Sequence, residues 1–385
     1  MTRLTADWLA RPAVREVFDL FAQAGCRIYA VGGCVRNTLL ERPVSDIDMA
    51  TDARPDRVIA LAEAAGLRAV PTGVAHGTVT LVVAGEGFEV TTFRDDVETD
   101  GRHAVVRFSD DLETDARRRD FTMNALYAAP DGTVIDVVGG LADVARRKVR
   151  FIGDADQRLR EDYLRALRYF RFFAWYGDPE DGVDAEALAA IAGALDGMAL
   201  LSRERVTAEM LKLLAAPDPA VAVAAMGQVG LLQALFGGGD PAQLARVVHA
   251  EAAFALQPDP LLRLAALALP PTRAALRLSR AQERTLAALA AAGPDTAPPG
   301  ALGHRLGARV AAQALALRAA IFESPPDPGQ LDAVARGAEA RFPISAADLM
   351  PGLQGKALGA ALARLEAEWI ASDFTLTRDA LLDRL

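Results

Sequence analysis

Cysteine is nearly missing: Cys26 and Cys34 are the only two in 385 residues. That excludes a disulfide framework, and with no Cys/His ligand spacing it excludes a structural zinc. Histidine is scarce as well; the four present are scattered, and none is assigned to catalysis. No apolar run is long enough to span a bilayer, and Met1-Thr2-Arg3-Leu4-Thr5-Ala6-Asp7 lacks the apolar stretch of a signal peptide. A reducing, cytoplasmic setting away from membranes is expected. Positive charge is in deficit too. The formal net charge of -9 argues mildly against a nucleic-acid partner, although a large acidic chain can carry one basic face.

What remains is the composition of a globular protein, 51% hydrophobic and 24% charged. The length exceeds one ordinary core, so two or three domains are expected. Apolar spacing at Val14, Val17, Phe18, Leu20 and Phe21 predicts a helix over 12–25. A short strand over 27–31 follows, then a helix from Gly32-Gly33 to about Leu40, and a strand over 46–50. Next come a helix over 54–65 closed by Gly66, and a hairpin of 76–83 and 88–94 turning over 84–87. Residues 95–111 are polar and aperiodic, which reads as a long functional or mobile loop. A second hairpin turns at Pro130-Asp131-Gly132. From 154 onward no strand is expected. The Ala/Leu-rich remainder suits stacked helices, broken at intervals by Pro and Gly.

The chemistry is concentrated in a few stretches. In Ser45-Asp46-Ile47-Asp48-Met49, strand alternation puts Asp46 and Asp48 on one face. Such a pair can hold two Mg²⁺ roughly 3.5–4 Å apart, or it can be a solvated strand edge. Twelve residues upstream, Gly32-Gly33 after a strand lets backbone N–H groups face phosphate oxygens, and Arg36 lies one turn in. Alone that is equally a tight turn; beside Asp46 and Asp48 it points to nucleotidyl transfer. Glu89, acidic within the apolar strand Phe88-Glu89-Val90, is either a third metal-side carboxylate or an exposed strand residue.

A single helix is expected over 156–176, with Asp162, Arg165, Arg168 and Arg171 spaced by three as a slanted polar ridge. On spacing alone this is a salt-bridged surface. Chemically, an Asp acceptor beside an Arg donor matches the edge shared by cytosine and adenine. Uracil and guanine put a carbonyl where the amine should be, at a cost of roughly 1–3 kcal/mol.

Gly32-Gly33-Cys34-Val35-Arg36, Asp46-Ile47-Asp48, Arg118-Arg119-Asp120 with Phe121-Thr122-Met123-Asn124-Ala125, and Glu161-Asp162-Tyr163-Leu164-Arg165 together resemble the class II tRNA nucleotidyltransferase / bacterial poly(A) polymerase family. The strong resemblance covers roughly 27–176. It implies an α+β, polymerase-β-like nucleotidyltransferase head, a mixed sheet with helices, over 1–150. All-α domains would follow: a neck over 151–215, a body over 216–325 and a tRNA-binding tail over 326–385. It implies addition of the 3′-terminal CCA to tRNA from CTP and ATP with Mg²⁺, and no protein partner. By position, Asp46 and Asp48 would hold the metals, and Gly33 and Arg36 would touch the triphosphate. Arg119 would contact the nucleotide, Asp162 and Arg165 would read the base, and Arg168 and Arg171 would complete the pocket. Residues 95–111 match the family's loop associated with the switch to adding A. Asn37 departs from the family's usual Asp. Candidate RNA contacts are Arg146-Arg147-Lys148 and the Arg203/Arg205 region. The rivals are a poly(A) polymerase, disfavoured by a chain end without a basic run, and a catalytically silent RNA-binding protein.

Overall fold

The computed structural model describes residues 2–99, 104–270, 276–350 and 352–385. The chain forms two compact units. One comprises Met1–Met210 with Val221–Leu235; the other comprises Leu211–Ala220 with Phe236–Leu385. The expected head and nearly all of the expected neck lie in the first, and most of the expected body and all of the tail in the second.

Among the described residues the first unit has nine strands: β1 (Ile28–Val31), β2 (Met49–Thr51), β3 (Arg68–Gly73), β4 (Thr78–Val83), β5 (Glu86–Thr92), β6 (Arg94–Thr99), β7 (Ala104–Phe108), β8 (Leu126–Ala128) and β9 (Val134–Asp136). Seven make one mixed sheet, in the order β3-β4-β5-β2-β1-β8-β9. Every pairing in it is antiparallel except β2 with β5. The alternation of β-branched and apolar residues explains β4, where Val79, Leu81 and Val83 are buried between more exposed neighbours.

The helix Pro12–Gln23 covers the sheet with Val14, Val17, Phe18 and Phe21, all at most 1% exposed. It starts on Pro12, whose missing N–H costs nothing in the first turn. It ends at Gly25, with φ +70, where the Cys26 N–H donates to the Phe21 carbonyl at 2.9 Å.

Four expectations need correction. The strand expected over 46–50 is confined to Met49–Thr51, because only there does the chain pair on both sides. The hairpin turn expected over 84–87 is Ala84-Gly85 alone, since Val83 pairs with Glu86. Both turn residues take positive φ, +51 and +84, the twist that a two-residue connection needs. The polar stretch 95–111 is not an irregular loop. Arg94 to Phe108 forms the two-stranded ribbon β6–β7, tied by Arg107–Asp95 at 2.8 Å, with 100–103 outside the described residues. Finally, the single helix expected over 156–176 is two, Ala155–Glu161 and Leu164–Tyr176, separated where Asp162 turns extended (φ -155, ψ 104).

Leu164–Tyr176 is anchored by aromatic packing. Phe121 meets Phe151, Tyr169 and Phe172 at 5.1, 6.0 and 5.0 Å between ring centres. The segment carrying Arg119 and Asp120 is thereby fixed against this helix.

The second unit is helical throughout its described residues. Two of its helices, Pro299–Ile321 and Gln330–Glu339, approach so closely that a Cβ on Gly337 would sit 1.9 Å from the Gly300 carbonyl oxygen. Its buried Arg263 pairs with Glu251 at 2.8 Å and donates to the carbonyls of Leu214, Ala216 and Pro217, so the buried charge is satisfied. Ile344, Leu349, Leu365, Trp369 and Leu381 gather into a separate small core near the chain end.

Candidate active site

Asp46 and Asp48 lie just before β2. Ile47 and Met49 between and after them are buried while both aspartates are exposed, so the two carboxylates do share a face. The Asp48 carbonyl still accepts from the Val31 N–H at 2.8 Å, which carries the β1 ladder one residue past the strand. On the other side, the parallel register pairs Met49 with Val90. Asp48 therefore stands beside Glu89, whose side chain is exposed while Phe88 and Val90 are buried.

Asp48 feels both neighbouring carboxylates. Protein crowded around Asp48 raises its pKa above the ordinary value even though its tip reaches solvent. Glu89 and Asp46 add to the rise and Arg119 opposes it. Among the described residues none donates a hydrogen bond to the Asp48 carboxylate. A crowded carboxylate without a donor, beside two like charges, suits a divalent cation. Among the described residues no group of three His, Cys, Asp or Glu is arranged as a complete metal set. A metal here would take its remaining ligands from water and substrate oxygens, as a hard, slowly dehydrating cation does.

The glycine turn stands beside this face. Gly32 has φ +72 and ψ -112, a conformation L side chains rarely adopt. A Cβ there would lie 3.4 Å from the Asn124 carbonyl and 3.7 Å from Arg119 Nη1. Gly33 opens the helix Gly33–Leu39, where the first N–H groups have no intrahelical acceptor. Cys34 beneath them is buried packing; burial, with a contribution from Asp48, pushes its thiol up to about 12.

Arg36 is 6% exposed. Its guanidinium donates to Asn37 Oδ1, Asn124 Oδ1 and the Tyr176 hydroxyl, and lies 3.9 Å from the centre of the Tyr176 ring. It braces the glycine-motif helix against Leu164–Tyr176. Asn37 accepts from Arg36 Nη2 at 2.9 Å and donates to the Pro43 carbonyl at 2.9 Å. The second bond needs an amide N–H, which an Asp lacks, so Asn37 orients Arg36 and ties down the loop that leads to Asp46.

Arg119 is held by Asp115 at 2.9 Å and by the Tyr127 hydroxyl at 3.1 Å. Asp115 also takes Arg118 at 2.7 Å and the Tyr127 O–H at 2.7 Å. Burial by itself would raise the Asp115 pKa; Arg119, Arg118 and Tyr127 outweigh it and bring it down to about 2. Arg119 is thus a fixed positive charge between Gly32 and Asp48.

The expected ridge of one helix is not present. Asp162 sits in the break between two helices, its Oδ1 accepting from the Leu164 N–H at 3.0 Å and its Oδ2 from Arg205 at 2.6 Å. Arg165, in the first turn of the next helix, binds Glu161 at 2.5 Å through Nη1. Arg168 is paired with Asp120, and Arg171 with Glu209 at 2.6 Å. Burial opposes the Asp120 carboxylate; Arg168 and Asn124 override it and hold it well below the usual range.

Asp115, Tyr127, Tyr176 and Glu209 do not figure among the expected site residues. Glu209 lies 38 residues from the arginine it holds, and no local spacing signals such a pair. Asp115 had a signal, being four residues before Arg119 in a helical stretch.

Residues 28–150 match the family model described as "Poly A polymerase head domain", and 182–243 match "Probable RNA and SrmB- binding site of polymerase A". The chain is 42% identical over 202 residues to the mouse (Mus musculus) "CCA tRNA nucleotidyltransferase 1, mitochondrial", an alignment covering 52% of this chain and 46% of that protein. It is 38% identical over 226 residues to the CCA-adding enzyme of Geobacillus thermodenitrificans, covering 57% and 54%. It thus spans about half the length of the curated relatives it matches. Among solved structures, the Bacillus stearothermophilus CCA-adding enzyme in complex with CTP superposes with a TM-score of 0.73 at 30% identity, covering 94% of each chain. With that identity sustained over nearly the full length of both chains, the chain belongs to the family of CCA-adding enzymes.

Proposed function

We propose that the protein adds C, C and A in turn to the 3′ end of tRNA, using CTP and ATP and releasing pyrophosphate. The observation that carries this is the pairing of Asp46 and Asp48, beside Glu89, with the Arg119 cation held against Gly32. In this reading the tRNA 3′-hydroxyl oxygen attacks the α-phosphorus of the nucleotide, and the bond from that phosphorus to the pyrophosphate oxygen breaks. Asp46 and Asp48 would hold Mg²⁺, which when bound would supply activation of the hydroxyl and neutralisation of the phosphates. Arg119 and the Gly33 N–H face the triphosphate, while Arg36 keeps the glycine turn in place. Asp162 keeps lone pairs beyond those used by Leu164 and Arg205, and can accept from the exocyclic amine of cytosine or adenine. Arg165 uses only Nη1 within the described residues, leaving Nε and Nη2 to donate to the ring nitrogen. Arg168 and Arg171 support the pocket through Asp120 and Glu209.

Relatives named as CCA-adding enzymes favour this over poly(A) synthesis. A cytoplasmic setting belongs to the same reading, supported by the free Cys26 and Cys34. The test is to supply the purified protein with tRNA transcripts lacking three, two or one terminal nucleotides, and each labelled NTP in turn. Growth that stops after C-C-A is expected. A ladder of A residues on arbitrary RNA, or no incorporation with Mg²⁺ present, overturns it.

A further inference from the structure

Glu161 and Arg158 lie on the short helix Ala155–Glu161, between the two halves of the proposed site. Arg158 is 8% exposed. Its Nη2 donates to the backbone carbonyls of Arg118 and Arg119, the latter at 2.5 Å. Its Nη1 binds Glu161 Oε2 at 2.6 Å. The same carboxylate oxygen accepts from Arg165 Nη1 at 2.5 Å, and that Nη1 also donates to the Arg158 carbonyl at 2.8 Å. One side chain therefore grips the peptide that carries Arg119, and through a shared carboxylate it grips the guanidinium of Arg165.

We propose that Arg158 is a positioning residue that sets the placement of Arg165 relative to Arg119, so that reading the base and aligning the triphosphate are one mechanical event. This rests on the reading of the site given above. The physical argument is one of stiffness. Arg165 reaches its place through a helix that begins after a break at Asp162, and Arg119 through a turn between short elements. The two segments share no backbone pairing; Phe121 packing and the Asp120–Arg168 pair hold them together further along, and Arg158 joins them at Arg119 and Arg165 themselves. The planar guanidinium of Arg158 spans both with charge-assisted hydrogen bonds of fixed direction. A nucleotide whose base edge does not match Arg165 Nε and Nη2 displaces the Arg165 guanidinium, and its Nη1 draws Glu161, and so Arg158, with it. The displacement passes directly to the Arg119 peptide. Misplacing a group near the reacting atoms by about 1 Å can cost about 100-fold in rate. A wrong base would then be penalised in the chemical step as well as in binding.

The test uses the full chain, a tRNA lacking the terminal nucleotides, and steady-state incorporation of CTP and UTP. Arg158→Lys keeps the charge and can reach Glu161, but a single ammonium cannot span both ends. It is expected to lower kcat for CTP by about 10- to 100-fold with a smaller change in KM. The CTP-over-UTP ratio is expected to narrow about tenfold, chiefly in kcat. Glu161→Gln should narrow the ratio similarly, and the double variant should lose no more than the worse single one, as expected for residues acting through one link. Should Arg158→Ala fail to fold, Arg158→Lys and Glu161→Gln still decide the matter. An unchanged CTP:UTP ratio in folded Arg158→Lys overturns the proposal, as does additivity in the double variant. Absence of any incorporation by the unmodified protein would instead overturn the functional reading beneath it.

Discussion

At the scale of single residues, the site is built from charges that other charges hold in place. Asp115 is the clearest case, because its carboxylate is buried and takes two arginines and a tyrosine hydroxyl. Its folded pKa of about 2 lies below the free value of 3.8. The ionised pair therefore stabilises the fold at every pH above the free value, and the stabilisation is lost as pH falls from 3.8 toward 2. A shift of that size corresponds to about 2 kcal/mol at neutral pH. Asp115→Asn keeps the shape but leaves two arginines without their counter-charge, and is expected to cost about 3–5 kcal/mol. Thermal unfolding of both proteins between pH 2 and 7 checks this. The acid limb should be shallower in the variant, and parallel limbs would remove Asp115 as its source. Arg119, losing its anchor, should also raise the KM for nucleotide.

At the scale of elements, the ribbon β6–β7 is where sequence and structure diverge most usefully. Under the proposed function, and by the family resemblance of 95–111, this segment would carry the switch from adding C to adding A. Replacing 95–107 by a short turn is expected to reduce addition of the final A by at least about tenfold more than addition of either C, taking the energy of one lost base-positioning contact. Tracking each step on transcripts ending in C-C or in neither C measures it, and equal losses at all steps remove the ribbon from the switch. The ribbon was illegible beforehand because Arg94-Asp95-Asp96-Val97-Glu98-Thr99 is almost wholly polar and Ala104-Val105-Val106 is an unbroken apolar run, so no two-residue alternation marks either strand. β3 was missed for the same reason, with no fully buried position in Arg68–Gly73. The helix break at Asp162 was hidden differently: good helix formers run on both sides of it, and only the extended backbone, held by the Leu164 N–H and Arg205, interrupts them. By contrast β1, the glycine turn and the Asp46/Asp48 face were readable, because short-range pattern and chemistry coincide there. The partners that hold Arg168 and Arg171 lie 48 and 38 residues away, beyond any local signal.

At the scale of the whole molecule, a chain with net charge -9 must still hold a polyanion under the proposed reading. Of the basic run at 146–148, Lys148 is paired with Asp184 at 2.7 Å. Arg146 and Arg147 line a cavity of about 310 Å³ without a carboxylate partner among the described residues. Phosphate contacts from such residues make binding fall with salt. The logarithm of tRNA affinity should decline linearly with the logarithm of salt concentration, by roughly 0.7–0.9 per phosphate contacted. Filter binding between low and moderate salt, for the protein and for Arg146→Ala with Arg147→Ala, should show a slope about 1–2 smaller in the variant. An unchanged slope removes these two residues from the interface.

The chain passes between its two units three times, after Met210, Ala220 and Leu235. Synthesis runs from the N-terminus, and domains tend to fold as they emerge. By Glu209 the ribosome has added every residue that the proposed chemistry uses, yet 221–235 of the same unit are still to come. Segment 211–220 then waits longer, since the Arg263 that holds its carbonyls at Leu214, Ala216 and Pro217 is made 46 to 49 residues later. The first unit is therefore complete in the residues of the proposed site before it is complete in its core, and a nascent chain stalled between Met210 and Leu235 would contain every one of them without the scaffold that assembles them.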